Sequence, residues 1–445
     1  MIFNKLGFKF GNERSSKVIV NIIGSMFIKG GSILVSLILV PLTLSYLTQY
    51  EYGVWLTLSS LIHWLDYFDI GLANGLRNKL AECIAKKDYN KGRSYISTTY
   101  FLLTVIAIIS SLIFLIINHV LDWNNVLNTV DNPINNISII ILIVFISTAI
   151  QFVMKTVSTI YTANQEPMYG GLFSLLGQIL SMVIILILTK TTVSNFLYIA
   201  VAFSASPIII YFLSYPIAFH TKYKELRPSM KLIDLSLSKD IVGLGLKFFF
   251  IQICFLVLYQ SSNIIITNIF SPNEVTPYNI AYKYMTMLPM TFVILVSPLW
   301  TAITDAYVKS DILWIKKTIN KMLYVWLLCS FGAIIFVFIS SPVIKIWIGE
   351  AVDIPESYFI ALSVFAIVDM WNKLFSSFSN GVTRLKSQIC ATILEAVIFI
   401  PLAIALAKLI GVVGVAWALA FVSIIPAIFM SIDYLLFLKN FNNAK

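Results

Sequence analysis

The sequence predicts an all-α, polytopic membrane protein of about 12 transmembrane helices, arranged as two six-helix halves related by an axis along the membrane normal. Three observations carry this. The 445 residues are 59% hydrophobic and 12% charged, with a mean hydropathy of +0.88, whereas soluble domains carry about 25% charged residues. A soluble fold of this size could not hide so much apolar surface. The apolar residues run continuously instead of alternating, which argues against a membrane β-barrel. Third, the basic residues collect in alternate loops. Cytosolic enzymes, disordered chains and peripheral membrane proteins are excluded.

A spanning helix needs about 20 mostly apolar residues. Residues 1–17 are polar and basic and form a cytoplasmic N-terminal segment. The apolar run behind them is too long for a signal-peptide core. The N-terminal half, 18–219, holds spans near 18–44, 53–76, 95–117, 137–161, 169–189 and 195–219. A basic cytoplasmic linker, 220–240, follows. The C-terminal half, 241–438, holds spans near 241–269, 278–304, 318–340, 356–380, 387–408 and 411–437, the last two close enough for a tight hairpin. Residues 439–445 are a cytoplasmic tail. The second, eighth and tenth spans are the least apolar, carrying Asp66, Asp69, Lys283, Asp369 and Lys373.

The net charge is +10. Of the 31 Lys and Arg residues, 23 fall in the N-terminal segment, the even-to-odd loops and the tail. The opposite loops hold only Lys190, Lys345 and Lys408. Cytoplasmic loops are enriched in Lys and Arg, so both termini are expected in the cytoplasm. The surplus is therefore an orientation signal and does not imply a nucleic-acid partner. Five lysines remain at membrane depth: Lys29, Lys155, Lys247, Lys283 and Lys373.

An internal repeat supports the two halves. At a shift of 223 residues, Glu82 falls on Asp305, Lys86 on Lys309, Asp88 on Asp311 and Arg93 on Lys316; at 218, Gln151 falls on Asp369, Lys155 on Lys373 and Ser158 on Ser376. An even number of spans per half gives both halves the same orientation.

Ionisable groups at membrane depth are costly and mark functional candidates. Lys29 lies roughly 16 Å into span 1, near the midplane. It sits on a stripe of Asn21, Ser25, Ser32 and Ser36 at helical spacing. Gly30 and Gly31 beside it permit close helix approach. Span 7 carries a matching stripe with Gln252, Tyr259 and Asn263; the repeat puts Gln252 on Lys29. These stripes either line a hydrated interior and bind substrate, or hydrogen-bond between packed helices. Lys155 and Lys373 are repeat mates and candidates for substrate contact; otherwise Lys155 snorkels to the cytoplasmic surface and Lys373 is neutralised by Asp369. Asp66, Asp69 and Asp369 are candidates for ion coupling or for ion pairs, with Asp369 one turn before Lys373. Glu395, mid-span, reads as a packed hydrogen-bonding group. Trp55 and Trp347 suit the interfacial belt.

The four cysteines have no CxxC spacing and read as small core residues. The histidines form no metal constellation. There is no P-loop and no zinc motif. No catalytic residues, metal or cofactor are expected.

Local motifs carry a resemblance: Tyr52-Gly-Val-Trp55, the run from Trp64 to Asn78, Val275 to Asn279, Pro298 to Tyr307, and Ile346 to Gly349. With two six-helix halves and basic even-to-odd loops, the chain resembles the oligosaccharide (O-antigen and polysaccharide) flippases of the multidrug/oligosaccharidyl-lipid/polysaccharide exporter superfamily. The resemblance implies a non-enzymatic transporter in the bacterial cytoplasmic (inner) membrane. It would translocate a lipid-diphosphate-linked oligosaccharide by alternating access. H+ or Na+ coupling, and glycan polymerase or glycosyltransferase partners, would accompany that role. The alternative is a cation-coupled multidrug exporter on the same fold. That branch often has an acid in its first helix, where this chain has Lys29.

Overall fold

The computed structural model describes residues 13–62, 72–164, 166–308, 310–349, 352–382, 384 and 386–443. They form helices and turns with no strand among them. The chain separates into two compact units that divide inside one helix, between Ile253 and Cys254.

The first unit runs α1 (Glu13–Leu44), α2 (Gln49–Ile62), α3 (Leu72–Ala85), α4 (Tyr89–Val120), α5 (Ile137–Met154), α6 (Thr156–Ala163), α7 (Pro167–Thr191) and α8 (Phe196–Ile217). Helix α9 (Ser238–Ile269) leads into the second unit: α10 (Pro272–Val308), α11 (Ile312–Phe338), α12 (Ser340–Ile348), α13 (Glu356–Gly381), α14 (Lys386–Ile410) and α15 (Val413–Asn443). Ten helical segments among the described residues are long and apolar enough to cross a membrane. Of the other two expected spans, 53–76 is described only as its flanks α2 and α3. The span at 241–269 lies in α9, whose 32 residues reach roughly 48 Å.

Small residues set the packing of the first unit. Helix α1 lies along α7, and a Cβ at Gly31 would come 3.3 Å from Leu175 and one at Gly171 3.3 Å from Ile28. Gly24 faces Met168 so closely that a Cβ there would displace it. Gly30, beside them, faces open space. Close backbone approach is how membrane helices gain contact where lipid supplies no hydrophobic drive. Trp55, expected at the interfacial belt, is instead buried against Phe203 and Phe196, with ring centroids 5.1 and 6.4 Å away. In the second unit α13 is the most enclosed span, packed by α10, α11 and α15.

The linker is clipped to the first unit. Ser97 Oγ accepts from Ser229 N (3.0 Å), Thr98 Oγ1 from Asp234 N (2.9 Å), and the Arg93 guanidinium donates to Arg227 O (2.9 Å). Two hydrogen bonds from Ser236 hold the Asp234 carboxyl below its ordinary pKa.

The repeat is visible in backbone detail. Lys87 and Ser310, 223 residues apart, both adopt φ of 57°. Each closes a helix: Asp88 N bonds Cys83 O and Asp311 N bonds Ala306 O, both at 2.9 Å. This six-to-one bond across a left-handed residue ends a helix cleanly. Asp88 and Asp311 then cap the next helix, accepting from Lys91 N (3.1 Å) and Trp314 N (3.0 Å). At the 218-residue shift, Glu166 N bonds Tyr161 O and Arg384 N bonds Ser379 O, again both at 2.9 Å.

Candidate functional site

Within the first unit, the α1 stripe meets α7. Ser32 Oγ donates to Gln178 Oε1 at 2.7 Å. Ser25 and Ser36 are half-buried, and Lys29 is exposed on the protein surface. Gln178 was not singled out in the sequence, although it interrupts an otherwise apolar span. Asn21 and Gln252 have side chains outside the described residues, and Asp66 and Asp69 lie outside them altogether. Lys155 is exposed and stands where α5 gives way to α6.

Within the second unit, Asn279 Nδ2 donates to Asn263 Oδ1 at 2.6 Å and to Val275 O at 3.0 Å, tying α9 to α10. Asn263 is buried. Helix α13 supplies Asp369 and, one turn on, Lys373, whose Nζ lies 3.5 Å from Asp369 Oδ1. Buried Glu395 of α14 interacts electrostatically with both. Nearby, buried Asn372 donates to Ser423 O at 2.8 Å. The sequence supplied the Asp369–Lys373 spacing; the third member comes from another helix and had no local signal.

Two further clusters escaped the sequence reading. Helix α7 begins Glu166-Pro167, and Pro at the first helical position needs no hydrogen-bond acceptor. Glu166 makes no cap with its side chain. Its carboxylate, buried, instead pairs with Lys222 and accepts from Tyr223 OH at 2.7 Å. A π turn over Ala218–Lys222 at the end of α8, just after Pro216, presents both partners. The Lys222 ammonium also lies 4.7, 5.8 and 5.9 Å from the ring centres of Tyr169, Tyr223 and Tyr161, within cation–π range. Burial, reinforced by Glu166, pushes the Tyr223 hydroxyl well above its ordinary pKa, so it stays a donor.

The second unit repeats this with reversed charge. Arg384, the repeat mate of Glu166, pairs with Asp433 of α15 at 3.1 Å and lies 5.9 Å from the Phe437 ring centre. In one unit the acid stands before the fifth helix of its half; in the other the base does. A continued 218-residue shift would have found the match between Glu166 and Arg384. The charge inversion disguises it.

No group of three or more His, Cys, Asp or Glu residues placed to hold a metal occurs among the described residues. The cysteines are unbridged.

The comparisons with known proteins fit this picture. A family model described as "Polysaccharide biosynthesis protein" matches residues 18–303. No curated protein matches significantly. An inward-facing multidrug resistance MATE family transporter of the MOP superfamily superposes with a TM-score of 0.79 at 13% identity, over 95% of this chain and 99% of that one. An outward-facing MATE family transporter gives 0.63 at 14%, over 99% of both. A Vibrio cholerae MATE transporter gives 0.65 at 13%, over 96% and 98%. At these identities the fold is what is shared.

Proposed function

The chain belongs to the polysaccharide biosynthesis protein family, and from that premise we propose that it is a flippase for a lipid-diphosphate-linked oligosaccharide repeat unit. The repeat unit is destined for O-antigen, capsule or another surface polysaccharide. The family match over 18–303, on a chain built almost wholly of spanning helices, is the observation that carries this reading.

The physics of the cargo fits the residues. A diphosphate cannot cross hydrocarbon unaided, because an unpaired buried charge is expensive. Lys29, Lys155 and Lys373 offer positive charge at membrane depth. Ser25, Ser32, Ser36, Asn21, Gln252 and Asn263 offer donors and acceptors for a glycan. The lipid tail stays in the bilayer. Rocking of the two halves gives alternating access, and no covalent bond is made or broken. Both termini lie in the cytoplasm of a bacterium, on the basic side of the inner membrane. Asp66, Asp69 and Asp369 are the candidates for H+ or Na+ coupling. Glycan polymerases or glycosyltransferases act before and after the step.

The test is reconstitution. Purified protein in vesicles loaded with lipid-linked repeat unit moves the glycan to the opposite leaflet, read by its accessibility to an added glycosidase. Unaltered leaflet distribution, with drug efflux from the same vesicles, would establish instead the multidrug exporter that the fold neighbours bring to mind.

A further inference from the structure

The first unit carries a groove of about 530 Å³ that none of the above employs. Three separate segments wall it: the start of α2, the approach to α5 and the loop before α8. All three lie on the face opposite the basic loops. The lining includes Asn132, Asn135, Asn136, Ser194 and Thr48, with one acid, Glu51, whose carboxylate accepts from Thr48 N (2.9 Å) and Thr48 Oγ1 (3.0 Å), and no Lys or Arg. Carboxamides and hydroxyls both donate and accept, as sugar hydroxyls do, and a planar amide can bridge two neighbouring hydroxyls. A groove without cations does not suit a phosphate.

Two details set it apart from a chance surface dent. Asn136 stands at the N-cap of α5 with φ of 56° and its side chain makes no cap bond. Asn is favoured there because its side chain normally caps the helix, and Asn195 does so at α8, accepting from Leu197 N at 2.9 Å. Asn136, without that cap bond, is instead one of the residues lining the groove. Tyr50 lies half-buried in the wall with its hydroxyl held to Asn132 O at 3.1 Å, which fixes a ring for stacking. The second unit has its own groove of about 460 Å³ after the corresponding third span of its half. That one is lined by Lys345, Asp353 and Glu356. The first groove thus carries one acid and no base, whereas the second carries charges of both signs.

We propose that the Asn132–Asn136 groove is an outer-face binding site for an uncharged oligosaccharide, holding the glycan of the cargo after translocation. The proposal rests on the flippase reading and its orientation. The test uses Asn135→Cys and, on the opposite wall, Ser194→Cys, labelled in intact cells with a membrane-impermeant maleimide above the wild-type background. One host accumulates lipid-linked repeat unit through loss of the polymerase; the other lacks the first glycosyltransferase and makes none. Both cysteines are expected to label, and several-fold more slowly in the accumulating host. A Ser341→Cys control in the second groove should label at one rate in both. Equal rates at Asn135 and Ser194 in the two hosts would overturn the proposal, because phospholipid headgroups are common to both. Labelling only after permeabilisation would also overturn it. The flippase reading is judged separately: unaltered surface glycan after deletion of the chain would refute it without any labelling.

Discussion

Among the candidate residues, Lys29 offers the most direct mutational test of the transport reading. Helix α1 has no Asp or Glu between Arg14 and Leu44, and Lys29 is its one basic residue beyond Lys17. Counted along span 1, the expected depth of Lys29 is near the midplane, where a charge is costly and calls for a function. Lys29→Ala is expected to abolish surface glycan while the protein reaches the membrane in normal amount, measured by glycan blot against membrane immunoblot. Lys29→Arg, which retains the charge, should keep part of the activity. Unchanged glycan in Lys29→Ala would remove the residue from the site. In the second unit the pertinent residue is Lys373, whose ammonium pairs with buried Asp369. Lys373→Met strands the Asp369 carboxylate and is expected to lower the melting temperature in detergent. Adding Asp369→Asn removes that charge and should recover part of the loss. Strict additivity of the two changes would show that the two groups do not form a unit.

At the scale of elements, the paired clusters hold the fifth helix of each half to the end of its sixth. In the first unit the tie is Glu166 to Lys222 and Tyr223; in the second, Arg384 to Asp433. Glu166 is nearly inaccessible while Lys222 is about 40% exposed, so solvent weakens the pair without dissolving it. Lys222→Glu sets two acids together and is expected to cost about 1–3 kcal/mol, the usual loss for a buried charged acceptor without its donor. Glu166→Lys combined with Lys222→Glu restores the attraction and should recover most of the melting temperature. The opposite polarity of the Arg384–Asp433 pair shows that the fold tolerates either arrangement at this position. If the double swap is no better than Lys222→Glu, the tie depends on the three tyrosines and not on charge. Helix packing makes a further prediction. Gly24→Leu should reduce the folded yield, because Met168 already occupies the space, whereas Gly30→Leu, facing open space, should be tolerated. Fluorescence-detected size exclusion would read the difference.

For the whole molecule, what the sequence could reveal followed the range of the interaction. Span positions depend on local hydropathy, and the helices α4, α7, α8, α10, α11, α13, α14 and α15 lie where the apolar runs put them. The repeat was legible because Asp88 and Asp311 are caps, and a cap is a local device. The Asp369–Lys373 pair was legible because one helical turn separates its members. Glu395, Gln178 and the Glu166–Lys222 tie were not, because each needs a partner from another helix, and no spacing in the chain records that. The point where the two compact units divide was not legible either. The basic linker looks like a neutral boundary. Yet it bonds to α4, and the division of the chain falls farther on, inside α9. The two features make different demands on a split protein. Co-expressed fragments 1–237 and 238–445 leave the linker on α4 and keep α9 whole, so they should reassemble and restore surface glycan in a deletion host. Fragments 1–253 and 254–445 cut α9 mid-span and leave unpaired backbone groups at membrane depth, each costing several kcal/mol. They should fail to complement although the cut coincides with the boundary between the compact units. Equal rescue by both pairs would mean that α9 need not be continuous, and the linker, not the helix, would then be what joins the halves.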